Sequence, residues 1–181
     1  MWIGLYNLIH RLATWPVVAL LFIANVIFNQ GFSWRQSQFD PQIHLLDTRF
    51  FYNPTKVQKL LEMLGESGRQ KYAITELSLD LIFPLIYGSL LAVFLFRLHS
   101  GDIGKSLIML PLLTMSADWL ENGTAAYLAL SFDGKSSTLA WVGAIFTATK
   151  WVSGMLCLLL ILKNGLAGVF HLSKTSSTDK S

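Results

Sequence analysis

The chain has 181 residues, of which 52% are hydrophobic and only 14% charged, and its mean hydropathy is +0.47. Ordinary soluble domains carry roughly 25% charge, so a surface this poor in charge would not stay solvated. The composition excludes a soluble enzyme, a disordered chain and a solvated coiled coil, and describes an integral membrane protein. The 14 Lys and Arg outnumber the 11 Asp and Glu for a formal charge of +3. These bases are spread over loops and termini without a basic stripe, so the expected partner is the lipid bilayer and not nucleic acid. A single cysteine, Cys157, leaves no intrachain disulfide and no CxxC redox pair. None of the four histidines lies inside a long apolar run, which argues against a His-based intramembrane metal centre.

The first uncharged run, 12–34, follows Arg11. It is long enough to span, since a bilayer core needs about 20 residues, and no small-residue cleavage site follows it. It predicts an uncleaved anchor as span 1, over 12–32. An extramembrane segment, 33–71, comes next. In it Asn53-Pro54 offers a cap followed by proline at the first helical position. Val57, Leu60, Leu61 and Leu64 then recur at helical spacing between Lys56, Lys59 and Glu62. Gly65 is placed to end this helix in the left-handed conformation. The pattern predicts a short amphipathic helix that lies on the membrane or caps the bundle.

Span 2 is predicted over 72–97, span 3 over 106–131 and span 4 over 137–162. A short polar link, 97–105, joins spans 2 and 3, and a tight turn at Asp133-Gly134-Lys135 joins spans 3 and 4. The fold class is therefore all-α: an integral membrane four-helix bundle forming one domain over 1–172. The Ser/Thr/Lys-rich stretch 173–181 is expected to be a disordered tail. Four spans put both termini on one side, and Arg11, Arg97, Lys105 and Lys163 at helix ends favour the cytoplasm for that side. A bacterial inner membrane is the expected location.

Five charges fall inside the spans: Glu76, Asp80, Asp118, Glu121 and Lys150. Each costs roughly 2.5–3.5 kcal/mol if it faces lipid, so they are expected to face one another or water. Asp118 and Lys150 are equidistant from Gly134 in sequence (134 − 118 = 150 − 134 = 16). An antiparallel hairpin levels them about 24 Å from the turn, in mid-span. With the second link centred near 101, position 80 levels with 122 (2 × 101 − 80), beside Glu121. Asp118, Glu121 and Asn122 share one helix face, as do Glu76, Asp80 and Tyr87. Gly143, Thr147, Lys150, Gly154 and Cys157 form a small or polar stripe on span 4.

The candidate ligand-binding set is thus Glu76, Asp80, Tyr87, Asp118, Glu121, Asn122 and Lys150. Its four carboxylates and one lysine leave three net negative charges if all ionise. Protonation, a bound cation or cationic ligand, or water must settle that imbalance. It points to a site that binds or moves a cation, a proton or a small amphipathic ligand. Two other readings stand beside this one. One is a membrane enzyme acting on a lipid or isoprenoid by carboxyl acid/base chemistry. The other is a structural membrane subunit in which Asp118–Lys150 only fixes helix register. Carboxylates with Asn122 have the chemistry for Mg²⁺ or Ca²⁺, but the pattern singles out no metal ligands and names no cofactor. Pro84 and Pro111 read as kinks whose freed carbonyls line the cavity. Trp2, Trp15, Trp34 and Trp141 read as interfacial anchors, and Trp119 and Trp151 as packing.

Three stretches carry a resemblance: Asp47-Thr-Arg49-Phe-Phe-Tyr-Asn-Pro54, the run from Glu76 to Tyr87, and Ala117-Asp-Trp-Leu-Glu-Asn122 with Thr149-Lys-Trp151. They are similar to a family of small uncharacterised bacterial four-span membrane proteins, which implies membership and no activity. The layout also resembles the EXPERA group of sterol isomerases and sigma-2 receptors, in the long first loop and the Glu76…Asp80…Pro84 region. That likeness implies an intramembrane pocket for amphipathic amines or sterols. Lys150 departs from the group's pattern.

Overall fold

The computed structural model describes residues 2–99 and 106–178. Most of the predicted 97–105 link, and residues 179–181, lie outside the described residues. Among those residues the chain is all-helical, without strands. The helices are α1 (Trp2–Leu12), α2 (Trp15–Gln36), α3 (Pro54–Glu76), α4 (Leu79–Leu98), α5 (Met109–Leu130) and α6 (Leu139–Thr178), with a 3₁₀ turn at Leu46–Thr48. They pack as a helical bundle around α5, which touches α3, α4 and α6, while α2 lies against α4. Three helical stretches are long and apolar enough to cross a membrane: Trp15–Gln36, Pro54–Leu98 and Leu139–Gly165.

The interior holds a cluster of charged residues, while large apolar side chains face outward. Arg35, Glu76, Asp80, Asp118, Glu121 and Asn122 are all buried, whereas Leu20, Phe22, Ile23 and Ile27 of α2 and Ile145, Met155, Leu159 and Leu162 of α6 are exposed. Such an arrangement suits lipid as the outer solvent. α5 is the most enclosed helix, with Ala117, Asp118, Glu121, Asn122, Ala125 and Ala126 among its buried residues. Its polarity keeps it out of the strongly apolar class although it has 22 residues.

Several boundaries differ from expectation. α1 precedes the first apolar run. It seats Ile9 against Ala92 and Ile108, a contact that its own sequence does not announce. α2 begins at Trp15, behind Thr14 and with Pro16 in its first turn, and runs on to Gln36. Asn53 caps α3 as predicted, its side chain accepting from the Lys56 amide at 2.9 Å. Gly65 takes φ +63° and bends the chain there. The helix then resumes, so 66–71 is helical and not loop. Ser78, at φ −125° and ψ −80°, breaks the predicted 72–97 span, and α4 starts at Leu79. α6 runs from Leu139 to Thr178, with no proline after Leu139 to stop it.

The amphipathic segment of α3 caps the bundle. Val57, Leu60, Leu61 and Leu64 pack with Leu45, Leu46, Tyr52 and Tyr72 on Ala125, Ala129, Ala140 and Ala144, the turn end of the α5–α6 hairpin. Gln58 donates to the Gly134 carbonyl at 3.1 Å across that contact. Gly134 turns the hairpin at φ +88°, a left-handed conformation that favours glycine.

Candidate functional site

Two cationic side chains organise the buried charges. Arg35, in the last turn of α2, is 4% exposed. Its Nη2 pairs with Asp47 Oδ2, and its Nη1 lies 3.3 Å from Glu76 Oε1 and 3.5 Å from Asp80 Oδ2. Lys150, on α6, lies 3.2 Å from Asp118 Oδ1 and also pairs with Glu121. The Asp118–Lys150 contact is the one that the hairpin register predicts.

Neighbouring hydroxyls and amides complete the network. Tyr87 donates to Asp118 Oδ2 at 2.7 Å. Thr147 donates to Glu121 Oε1 at 2.8 Å, and the Tyr52 hydroxyl sits 3.2 Å from Thr147 Oγ1. Tyr52 lies in the connection ahead of α3, and burial pushes its ionisation up, so it remains a neutral hydroxyl. Asn122 donates to the backbone carbonyl of Asp80 at 2.8 Å, which brings positions 80 and 122 together as the register predicts. That carbonyl would have bonded the amide of residue 84, but Pro84 has none. Trp119 donates to the next carbonyl, Leu81, at 2.9 Å. The freed Asp80 carbonyl is therefore met by Asn122 of α5, a correction to the expectation that it lines the cavity.

A cavity of about 770 Å³ lies between α2 and α6, with α4 and α5 behind it. Its polar end presents Arg35, Asp47, Asp80, Tyr87, Asp118 and Lys150. Its apolar part is walled by Phe32, Phe83, Leu90, Leu91, Met155 and Leu158, with Asn25, Asn29 and Ser33 along α2. Glu76, Glu121 and Asn122 sit behind this wall, fully enclosed, and do not line the cavity. Of the seven sequence-derived site residues, Asp80, Tyr87, Asp118 and Lys150 line it.

Sequence reasoning missed Arg35 and Asp47. Both lie outside the predicted spans, in the extramembrane segment 33–71. The charge imbalance was the available signal, because one lysine cannot serve four carboxylates. With the two added, five carboxylates face two cations, so the excess of three negative charges persists.

No family model, curated protein or solved structure matches the chain. Its class, a helical bundle with three helical stretches among the described residues long and apolar enough to cross a membrane, therefore rests on the composition and the fold alone.

Proposed function

We propose that this chain is a four-span inner-membrane protein that binds an amphipathic ligand with a cationic head, α5 forming the fourth crossing. The single observation that carries the reading is the cavity: an apolar trough ending on three carboxylates, Asp47, Asp80 and Asp118, against two cations. Its volume is within the roughly 300–1,000 Å³ range of small-molecule sites. An amine head reduces the negative excess, and its chain lies among Leu90, Leu91, Met155 and Leu158. The bacterial four-span family likeness and the amine-binding layout of the EXPERA group agree with this reading.

Tryptophans set the depth of the site. Trp34 adjoins Arg35 at one end of α2, and Trp15 stands at the other end. From Trp15 to Trp34 a helix rises about 28 Å, close to the ~30 Å hydrocarbon core. Indoles favour both membrane interfaces. Arg35 and its partner Asp47 then lie near the headgroup boundary beneath the α3 cap, and the trough runs inward from them past Asp118 and Lys150. Arg11 and Arg97, at the opposite end, favour cytoplasmic termini.

The test is thermal unfolding of the full chain in nanodiscs with dodecylamine, dodecanol or dodecanoate added. Stabilisation by the amine alone, lost in Asp118→Asn, is the expected result. Equal responses to all three compounds, or none, would overturn the reading.

A further inference from the structure

The Arg35 cluster holds more acid than Arg35 can balance, and its spare oxygens are buried. Arg35 engages one oxygen of each neighbour: Asp47 Oδ2, Glu76 Oε1 and Asp80 Oδ2. Among the described residues, Asp47 Oδ1 and Glu76 Oε2 bond to nothing, although both are inaccessible to solvent. The Tyr72 hydroxyl, on the turn of α3 next to Glu76, is likewise fully buried and bonds to nothing. The acidic groups that act on it are Glu76, Asp47 and Glu121. Arg35 Nε is likewise buried and bonds to nothing, so the cluster does not close its own hydrogen bonds. Buried polar atoms are almost always satisfied, and the orphaned carboxylate oxygens of Asp47 and Glu76 call for a partner.

We propose that Asp47, Glu76 and Asp80 hold a hard divalent cation of the Ca²⁺ class beside Arg35, with the Tyr72 hydroxyl adjoining it. Geometry allows it: one carboxylate oxygen from each of the three residues lies within 4.8 Å of the others. Two oxygens bound to one Ca²⁺ at about 2.3–2.6 Å lie at most about 5 Å apart. Charge agrees as well. Three carboxylates less one guanidinium leave two negative charges, which one divalent ion neutralises and a monovalent ion does not. Carboxylate oxygens without sulfur or imidazole favour Ca²⁺, Mg²⁺ or Mn²⁺ over softer metals. Asp80 belongs to both the ion site and the cavity wall, so ion binding fixes the carboxylate that faces the cavity.

This site shares Asp47 and Asp80 with the cavity of the amine reading, and the two are separated experimentally at Glu76 and Asp118. The experiment is calorimetric titration of Ca²⁺ into the full chain in phosphatidylcholine nanodiscs, with Mn²⁺ paramagnetic resonance as a second measurement. One saturable Ca²⁺ per chain is expected, displaced by Mn²⁺. Glu76→Gln and Asp47→Asn should each weaken it at least tenfold, and Asp118→Asn should leave it within twofold. Should Glu76→Gln not fold, Asp47→Asn and the wild-type stoichiometry decide. No saturable divalent binding to wild type, saturation by Na⁺ alone, or unchanged affinity in Asp47→Asn would each overturn the proposal. Loss of amine binding with Ca²⁺ binding intact would sink only the amine reading.

Discussion

Tyr87 and Lys150 grip opposite oxygens of one carboxylate: the Tyr87 hydroxyl donates to Asp118 Oδ2 at 2.7 Å, while Lys150 Nζ lies 3.2 Å from Oδ1. α4 and α6 thus meet through a side chain of α5. Interhelical hydrogen bonds between membrane helices are worth on average about 0.6 kcal/mol and at most about 1.7. Tyr87→Phe should lower unfolding free energy by an amount in that range, measured by titration with sodium dodecyl sulfate. A change below the error of the titration would mean that Lys150 alone holds Asp118.

Lys150 should be far less dispensable. It pairs with both Asp118 and Glu121, so Lys150→Met leaves two buried carboxylates facing each other without a cation. Removing one partner of a buried ion pair costs about 3–5 kcal/mol, whereas replacing the whole group by neutral residues is often tolerated. Lys150→Met should therefore fail to accumulate as folded protein. Adding Asp118→Asn alone should leave the Glu121 charge and restore little. The triple Lys150→Met/Asp118→Asn/Glu121→Gln should recover monodisperse protein in size-exclusion chromatography. Recovery already with the double variant would show that Glu121 does not depend on Lys150.

The contrast between Lys150 and Arg35 shows what a sequence can reveal here. Lys150 was legible because the hairpin has a short turn, and equal counting from Gly134 fixes its level against Asp118. The pairing of positions 80 and 122 follows from the same arithmetic, and the stripe on which Gly143, Thr147 and Cys157 are buried follows from helical spacing. Arg35 was not legible, because α2 leads into a long connection that counting cannot thread. Its partner Asp47 lies on a 3₁₀ turn whose path is set by Leu45 and Leu46 packing under the cap helix. α1 escaped notice because its stability comes from Ile9 on Ala92 and Ile108, a tertiary contact.

Arg35 serves three acids through two nitrogens of a planar fork. A lysine concentrates its charge on one atom, whereas the guanidinium spreads it over two nitrogens that meet Asp47 and Glu76 from separate positions. Arg35→Lys should thus behave more like a loss of the cation than a conservative change. We expect a drop of about 3 kcal/mol, the low end for a broken buried pair. Asp47→Asn/Glu76→Gln in the Arg35→Lys background should restore most of it. The measurement is again denaturant unfolding in detergent, and wild-type stability of Arg35→Lys would refute the three-way contact.

Pro84 and Asn122 form a further pair that can be tested without touching a charge. Proline removes the amide that would bond the Asp80 carbonyl, and Asn122 supplies the replacement donor at 2.8 Å. An unsatisfied buried carbonyl costs about 1–3 kcal/mol. Asn122→Leu should destabilise by that amount while Pro84 is present. Pro84→Ala returns the backbone amide, so the helix can satisfy the carbonyl itself. In that background Asn122→Leu should cost much less. The double variant should then be more stable than the sum of the single effects, by about 1 kcal/mol or more, within the range seen for directly interacting residues. Strict additivity in the double-mutant cycle would mean that Asn122 does not answer the proline, and that its place beside Asp80 has another cause.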